Sequence, residues 1–306
     1  MSSASVLYDV PGPKAILRNR ILSIAVVVLL AALLTFVLYR FAVTGQFEAR
    51  KWEPFTLPTV WQTIGTRLLA TLSAFAVAAV GALVLGFALA IGRLSSRAWI
   101  RLPVTAVTEV FRAVPVLILM MLLYYGLPTL GTRVSPFEAV VIALVVYNGS
   151  VLAEVIRAGV ESLPRGQAEA GYAIGMTKSK VLSLIQLPQA VRAMMPVIIS
   201  QLVVTLKDTA LGFIITYKEL LDYAKLLGNS SQFGIPIVPT TIVVGIIYIV
   251  LCALLSWAAH AVQKRTSRSP RVKVRHPGNP GGKTTTQLLG AQNLPDDLQA
   301  ELDGKK

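Results

Sequence analysis

The chain has 306 residues, of which 54% are hydrophobic and only 14% are charged. A soluble domain carries about 25% charged residues, so this composition excludes an ordinary water-soluble protein and indicates a membrane protein. The net charge of +14 would suggest nucleic-acid binding in a soluble chain, but here the basic residues cluster at the ends of apolar runs. The single cysteine excludes an intrachain disulfide, and the two histidines indicate no metal site.

Six apolar runs are long enough to cross a membrane as helices. A helix needs about 20 apolar residues to cross roughly 30 Å of hydrocarbon. The runs are too long and too evenly apolar for barrel strands, and the first is too long for a signal peptide. In chain order, the predicted spans are Ile21–Val43, Leu68–Gly92, Val104–Leu127, Phe137–Ile156, Met194–Ile215 and Pro236–Ala261.

Basic residues in the connecting segments predict the orientation. The side that holds both termini and the loop after the fourth span has about twice as many lysines and arginines as the other. The positive-inside rule therefore places both termini and that loop in the cytoplasm. The basic tail, rich in Pro and Gly, is predicted to be disordered or loosely bound to anionic lipid. The predicted organisation is a cytoplasmic segment 1–20, a transmembrane domain 21–263 and a tail 264–306.

The loop between the fourth and fifth spans is too long for a simple connector, since helix–helix connections usually have about 2–8 residues. Its sequence predicts two short helices, GQAEAGYAI and TKSKVLSLIQL, with Thr177 as the N-cap of the second. Gly175 permits a tight turn between them, and Pro188 is predicted to end the second helix. The product is a helical elbow, residues 160–193. Small residues are predicted on its surface, where another protein can approach closely: Ala168, Ala170 and Gly171.

The elbow resembles the EAA loop of ABC importer permeases. The pattern of that loop is EAA, three residues, G, nine residues, I, one residue, LP, and this chain departs from it at Gly171, where alanine is usual. The matching residues are Glu169, Ala170, Gly171, Gly175, Ile185, Leu187 and Pro188. The resemblance implies that the elbow docks into a cleft of an ATP-binding subunit and transmits its closure to the membrane helices. The alternative is an ordinary amphipathic loop, with Val181, Leu184 and Ile185 on its apolar face.

Three further segments resemble the polar amino acid permeases of that family. They are EVFRAVPVLILMMLLYYGLP (109–128), YNGSVLAEVIRAGVESLPRGQ (147–167) and SQLVVTLKDTALGFII (200–215). The N-terminal SVLYDVPGPKAILRNR and the basic tail are additionally similar to glutamate importer permeases of actinobacteria. The resemblance implies an all-α integral membrane protein with the type I ABC importer permease architecture. It favours glutamate as substrate, with glutamine, aspartate and basic amino acids left open.

Charged residues within the predicted spans are candidates for a substrate path. Intramembrane cations such as Arg112 and Lys207 are costly and usually face a bundle interior or a water-filled path. Together they would attract a substrate carboxylate, and Asp208 would meet an ammonium group. The predicted path residues are Arg112, Pro115, Gln201, Lys207, Asp208 and Thr209.

Structural roles for the same residues stay open as alternatives. Arg112 has Glu109 three residues earlier on the same helix face, so the two are also able to form a structural ion pair. Lys207 and Asp208 are equally candidates for gate or inter-subunit contacts. Asn148, Glu154 and Gln201 are more typical of helix–helix contacts than of ligands.

The resemblance also implies the partners and the location. An ATPase dimer has two docking clefts and each chain presents one elbow, so a second permease subunit, a copy or a sibling, is expected. An ATP-binding subunit and an external amino-acid-binding protein complete the complex, in the lipid of a bacterial plasma membrane. The chain is expected to bind no cofactor and no nucleic acid and to be no enzyme, with ATP and Mg held by the ATPase.

Two other functions are alternatives to an ABC permease. An ion-gradient-driven secondary amino acid transporter would leave the elbow without a purpose, and the sequence has no obvious inverted repeat. A membrane-embedded enzyme would need a nucleophile and a base within hydrogen-bond reach. Cys252 and His260 are about two helical turns apart, which is too far.

Overall fold

The computed structural model describes residues 12–266. The predicted segment 1–20 is therefore described only from residue 12, and the predicted tail lies outside the described residues from residue 267. In chain order, the α-helices are α1 (Pro13–Val43), α2 (Ala49–Trp52), α3 (Pro58–Arg93), α4 (Ala98–Ala113), α5 (Val116–Met121), α6 (Pro136–Glu161), α7 (Arg165–Ala173), α8 (Lys178–Val181), α9 (Leu187–Asp208), α10 (Leu220–Gly228) and α11 (Ile237–Thr266).

Short 3-10 and π segments extend or join several of these helices. The 3-10 segments are Glu53–Thr56, Leu127–Leu130, Thr209–Ile215 and Ser231–Phe233. The π segments are Leu122–Gly126 and Leu182–Gln186.

Five helical segments of the described chain are long and apolar enough to cross a membrane, and a bent pair brings the total to as many as six. The five are Pro13–Val43, Pro58–Arg93, Pro136–Glu161, Lys178–Ile215 and Ile237–Ala261. The predicted class, an all-α membrane protein with about six spans, is confirmed.

The third predicted span, Val104–Leu127, is not one straight helix but is broken at Pro115. α4 ends at Ala113, α5 begins at Val116, and the two helices are bent by 96°. Val114 has extended backbone, with φ −83° and ψ 123°, because the ring of Pro115 disfavours the helical conformation for the residue before it. Pro115 then serves as the N-cap of α5. α4 packs beside the last turns of α3 and α6, with Val104 against Gly92 and Arg112 paired with Glu154.

α3 and α6 pack tightly at the centre of the bundle through small residues. A Cβ atom at Gly81 would lie 2.6 Å from Val145 Cγ2, and one at Gly86 would lie 2.8 Å from Leu152 Cβ. A side chain at either position would push α6 away, so both glycines are close-packing positions. Leu152 also packs with Ile198 of α9 and Ala82 of α3 in one buried cluster.

α1 is different from the other spans, because none of its residues is buried. Its exposed side chains are almost all apolar, including Leu29 at 68% exposure. In a bilayer, lipid covers such an apolar surface at no cost, whereas exposing it to water would be unfavourable. α1 is joined to the bundle by the turn at Thr44–Glu48, in which Gly45 has φ +67°.

Candidate functional site

The elbow is built from α7 and α8, and one glycine sets how closely they pack. Gly171 is buried, and a Cβ atom there would lie 2.8 Å from Val181 Cγ2 and 3.1 Å from Ile185 Cδ1. The prediction that Gly171 lies on the elbow surface is therefore wrong. Glycine stands where alanine is usual because α7 lies against Val181 at this point, which leaves no room for a methyl group.

The turn between the two elbow helices depends on Gly175, as predicted. Its φ of +81° lies in the left-handed region, which side chains other than glycine adopt at a cost. The Gly175 N–H donates to the Tyr172 carbonyl over 2.9 Å, and the Met176 N–H donates to the Gly171 carbonyl over 3.1 Å. These two bonds satisfy carbonyls at the end of α7 and fix the direction in which the chain enters α8.

The prediction that Pro188 ends the second elbow helix is wrong. Pro188 lies in the first turn of α9, where the missing N–H of a proline is tolerated. The π-helical turn Leu182–Gln186 joins α8 to α9 without a break, so Lys178–Ile215 counts as one 38-residue helical segment. The second half of the elbow is thus the beginning of the fifth membrane span.

The outward surface of the elbow carries apolar side chains that nothing in the described chain covers. Ile174 is 78% exposed, Leu184 67% and Tyr172 45%. Of the predicted apolar face, Val181 is buried and Ile185 partly buried, but Leu184 points outward, so that part of the prediction is wrong. Large exposed apolar residues beside the charged Glu169 are typical of a surface that contacts another protein.

A network of six charged side chains ties α3, α4 and α6 together near the elbow. Its hub is Glu154, which lies within 4 Å of three arginines. The pairs are Arg93–Glu109 (2.9 Å), Arg93–Glu154 (3.1 Å), Arg112–Glu109 (3.3 Å), Arg112–Glu154 (3.6 Å), Arg157–Glu154 and Arg157–Glu161. We call this set the ion network, and the end of the bundle that holds it the elbow side. The sequence suggested only the Arg112–Glu109 pair. Three of the other pairs join different helices, and the two that involve Arg157 lie within α6 at spacings of three and four residues.

Arg112 and Lys207 do not lie together, although the sequence suggests that they act on one carboxylate. Arg112 belongs to the ion network on the elbow side. Lys207 lies in the last turn of α9, at the end of the span that is remote from the elbow. It lines a cavity of about 430 Å³ with Leu221, Tyr248 and Cys252, and among the described ion pairs none joins it to Asp208. Any role of these residues toward a substrate stays a prediction.

The other predicted path residues make contacts between or within helices. The Gln201 amide donates to Asn148 Oδ1 over 2.7 Å, and the buried Asn148 amide donates to the Leu144 carbonyl. Thr209 is buried and donates to the Leu206 carbonyl over 2.6 Å. These bonds hold α6 to α9 and stabilise the start of the 3-10 segment after α9; a role on the path stays a prediction here too.

Glu219 is fully buried, although it is not among the site residues that the sequence predicts. In the chain it lies between the fifth and the last span. Its Oε2 accepts a hydrogen bond of 2.6 Å from the Tyr248 hydroxyl, and its Oε1 accepts one of 2.8 Å from the Asp222 N–H at the start of α10. Burial raises the pKa of the Glu219 carboxyl, against the hydrogen bond from Tyr248, which lowers it. Glu219 is the N-cap of α10, but glutamate is not among the preferred N-cap residues, so the sequence carries little signal for this role.

No group of three or more His, Cys, Asp or Glu side chains within residues 12–266 is arranged to hold a metal ion. The described site consists of ion pairs, hydrogen bonds and an exposed apolar surface. Such groups are suited to holding helices together and to contacting another protein.

Comparison with known proteins assigns the chain to a family. Residues 82–268 match the family described as the binding-protein-dependent transport system inner membrane component. The chain therefore belongs to this family, the multi-pass permease subunits of ABC importers, and is not itself the catalytic subunit. The family implies an ATPase and a binding protein as partners.

Named relatives include amino acid permeases. The chain is 45% identical over 181 residues to the glutamate transport system permease protein GluD of Corynebacterium glutamicum, a match that covers 58% of this chain and 66% of that protein. It is 32% identical over 199 residues to the probable glutamine ABC transporter permease protein GlnM of Bacillus subtilis, covering 65% of this chain and 91% of the relative.

Solved structures share the fold. A subunit of an amino acid ABC transporter crystallised with histidines matches with a TM-score of 0.62 and 26% identity, over 69% of this chain and 97% of its own. A subunit of the inward-facing methionine transporter MetNI matches with a TM-score of 0.59 at 18% identity, which supports the fold alone.

Proposed function

We propose that the chain is the permease subunit of an ABC importer for a polar amino acid, with glutamate as the substrate. The observation that carries the coupling role is the elbow, whose second half continues directly into the fifth span while its outer face exposes Ile174 and Leu184. The 45% identity to a relative named as a glutamate permease supports the choice of substrate.

In the proposed mechanism, an ATP-binding subunit docks on the elbow. Glu169 and the exposed apolar side chains contact the subunit, while Gly171 and Gly175 set the shape that it recognises. Ile185, Leu187 and Pro188 connect the docked surface to α9, and Ala170 leaves room for close approach. Closure of the ATPase, which holds ATP and Mg, then moves the elbow and α9 together.

The proposed substrate path uses polar residues at several depths. Lys207, Asp208 and Thr209 lie in the half remote from the elbow, where the Lys207 ammonium would attract an acidic amino acid arriving from outside. Gln201 lies closer to the elbow on α9, and Arg112 lies in the ion network on the elbow side. A carboxylate moving inward would therefore reach Lys207 first, then Gln201 and then Arg112. The break at Pro115 lets α4 and α5 move separately.

The proposed complex contains two permease subunits, copies or siblings, with the ATP-binding subunit and an external amino-acid-binding protein. Both termini and the elbow face the cytoplasm of a bacterial cell, because the basic residues favour that side. We keep the proposed division into a segment 1–20, a transmembrane domain 21–263 and a basic tail 264–306, with lipid as the only other partner and no nucleic acid.

Gentle purification of the tagged chain, with mass spectrometry of accompanying proteins and uptake of labelled glutamate into vesicles, tests the proposal. We expect a stoichiometric ATP-binding subunit, which is lost on Glu169→Lys. We also expect uptake that requires ATP. Glutamate uptake that persists without an ATPase and collapses with an uncoupler would instead establish a secondary transporter.

A further inference from the structure

Arg93, at the end of α3, has hydrogen-bond donors for which the described part of the chain provides no acceptor. The residue is only 8% exposed, and its Nη2 atom pairs with Glu109 and Glu154. Its Nε and Nη1 atoms are buried and have no hydrogen-bond partner among the described residues. Leaving buried N–H groups of a charged residue unpaired is costly, so an acceptor that residues 12–266 do not supply is expected there.

Arg93 lines a cavity of about 480 Å³ between the α3–α4 turn and the elbow. Charged residues around it are four cations and two carboxylates, and one of those carboxylates already pairs with Arg157. The charged lining residues are Arg93, Arg101, Arg165, Lys178, Glu161 and Glu169. An excess of positive charge around buried unused donors selects an anion with several acceptor oxygens, such as a phosphate group.

A second cavity, of about 500 Å³, adjoins the first. Both are lined by Leu94, Ser95, Lys178 and Leu182, and the second adds another cation, Arg97. Together they form a cleft that runs from the start of α4 to the start of α8.

The position of α4 indicates where the phosphate comes from. Val104 of α4 lies against Gly92, and Glu109 pairs with Arg93, so α4 lies beside the elbow-side end of α3. Its side chains Trp99 and Leu102 are 72% and 63% exposed. A helix with exposed Trp and Leu next to arginines is typical of the interface between lipid tails and headgroups.

We propose that this cleft, the Arg93 cleft, binds the phosphate group of an anionic phospholipid from the leaflet on the elbow side. The lipid phosphate accepts hydrogen bonds from the unused donors of Arg93, and Arg101 adds a second positive charge at the mouth. Basic pockets between membrane helices bind lipid headgroups by the same chemistry. The bound lipid would lie between the ion network and the elbow.

Native mass spectrometry of the full chain, with whatever subunits copurify, tests the proposal by titration with phosphatidylglycerol or phosphatidylcholine. We expect one phosphatidylglycerol molecule to bind about tenfold more tightly than phosphatidylcholine. Arg93→Gln and Arg101→Gln should each remove this preference. Arg192→Gln is the matched control, because Arg192 is an exposed arginine in the elbow half of α9 that lines neither cavity, and it should keep the preference.

The Arg101→Gln variant keeps the test valid if Arg93→Gln fails to fold, because the Arg101 side chain is exposed. An unchanged lipid preference in Arg101→Gln, or an equal loss in Arg192→Gln, would overturn the proposal. So would inorganic phosphate that displaces phosphatidylglycerol at equal concentration, since the ligand would then be soluble phosphate. The measurement needs no ATPase, so it stands apart from the test of the proposed function.

Discussion

The two ends of the bundle hold their polar groups in different ways. On the elbow side, Glu154 lies between three arginines. Of the six side chains in the ion network, Arg93 is nearly buried and the other five are 24–56% exposed. At the other end, Glu219 is fully buried and held by the Tyr248 hydroxyl and the Asp222 N–H. Among the described ion pairs, none includes Glu219.

This contrast between the ion network and Glu219 indicates which end of the bundle is suited to rearrangement. A carboxylate that has three possible arginine partners is able to lose one and keep the others, and water reaches the groups that separate. A buried carboxyl with neutral partners has no such substitute, because breaking its bonds leaves donors unsatisfied. The elbow end is therefore built to change its contacts, and the other end to hold α3, α10 and α11 in place.

Removal of the network hub should have the largest effect on stability. Glu154→Gln takes the shared charge from Arg93, which is nearly buried, and we expect a loss of about 2–3 kcal/mol in the free energy of unfolding. Glu161→Gln, which affects an exposed ion pair with Arg157, should cost less than about 0.5 kcal/mol. Thermal unfolding in detergent measures both. Equal losses would show that Glu154 is no hub.

At the other end, Glu219→Ala should cost about 2 kcal/mol, because it leaves the Tyr248 hydroxyl and the Asp222 N–H without their acceptor. Glu219→Gln retains an acceptor oxygen and should cost less. The same unfolding measurement ranks the two variants. A Gln variant as damaged as the Ala variant would contradict the hydrogen-bond account.

The stability difference between the wild type and Glu219→Gln should also depend on pH, in a direction that the pKa of Glu219 determines. Burial raises the pKa of this carboxyl above its ordinary value of 4.5, so the folded state favours the protonated form. Its contribution to stability is complete below pH 4.5 and is lost as pH rises through the folded pKa. The wild type should therefore lose stability relative to Glu219→Gln as pH rises over this range. Unfolding midpoints that run parallel at all pH values would refute this assignment.

Within the elbow, Gly171→Val should cost about 1–3 kcal/mol, because the new side chain meets Val181 and Ile185. Gly166→Val in the same helix is the control, since a Cβ atom there has nothing within 4 Å. ATP-driven uptake should fall with Gly171→Val and not with Gly166→Val. If both variants behave alike, helix propensity rather than close packing explains the loss.

The smallest effect on stability is expected at the exposed apolar surface of the elbow. Ile174→Ser should change the free energy of unfolding by less than about 0.5 kcal/mol, because the side chain is 78% exposed. Retention of the ATP-binding subunit should nevertheless fall about tenfold. Leu226→Ser, at a 64% exposed position on the other end, should leave retention unchanged. Undiminished retention in Ile174→Ser would place the docking surface elsewhere.

The sequence predicted the features that depend on composition and short-range pattern. Apolar runs located the spans, because every backbone group in lipid has to be satisfied within a helix. The turn at Gly175 followed from its place between two helical patterns, and its φ of +81° agrees. Pro115 is a visible helix-breaking signal because it restricts Val114, but the sequence alone does not show that the two helices bend by 96°.

Other features depend on contacts between distant segments, which a single sequence does not contain. Nothing in the elbow sequence indicates that Gly171 faces Val181 rather than solvent. Arg93 and Glu154 are on different helices, and their pairing requires the close packing of α3 on α6. Arg112 and Lys207 lie towards opposite ends of the bundle, because Arg112 pairs with Glu154 on the elbow side and Lys207 is in the last turn of α9.

The continuity of the elbow with the fifth span has a mechanical consequence. The helical segment Lys178–Ile215 has 38 residues and, at 1.5 Å per residue, is a rod of about 55 Å. A tilt of about 10° around its elbow end would displace Lys207, about 44 Å from Lys178, by roughly 8 Å. In the proposed mechanism, a lever of this length would turn a small rotation of the elbow into a displacement of several ångströms at the opposite end of the span.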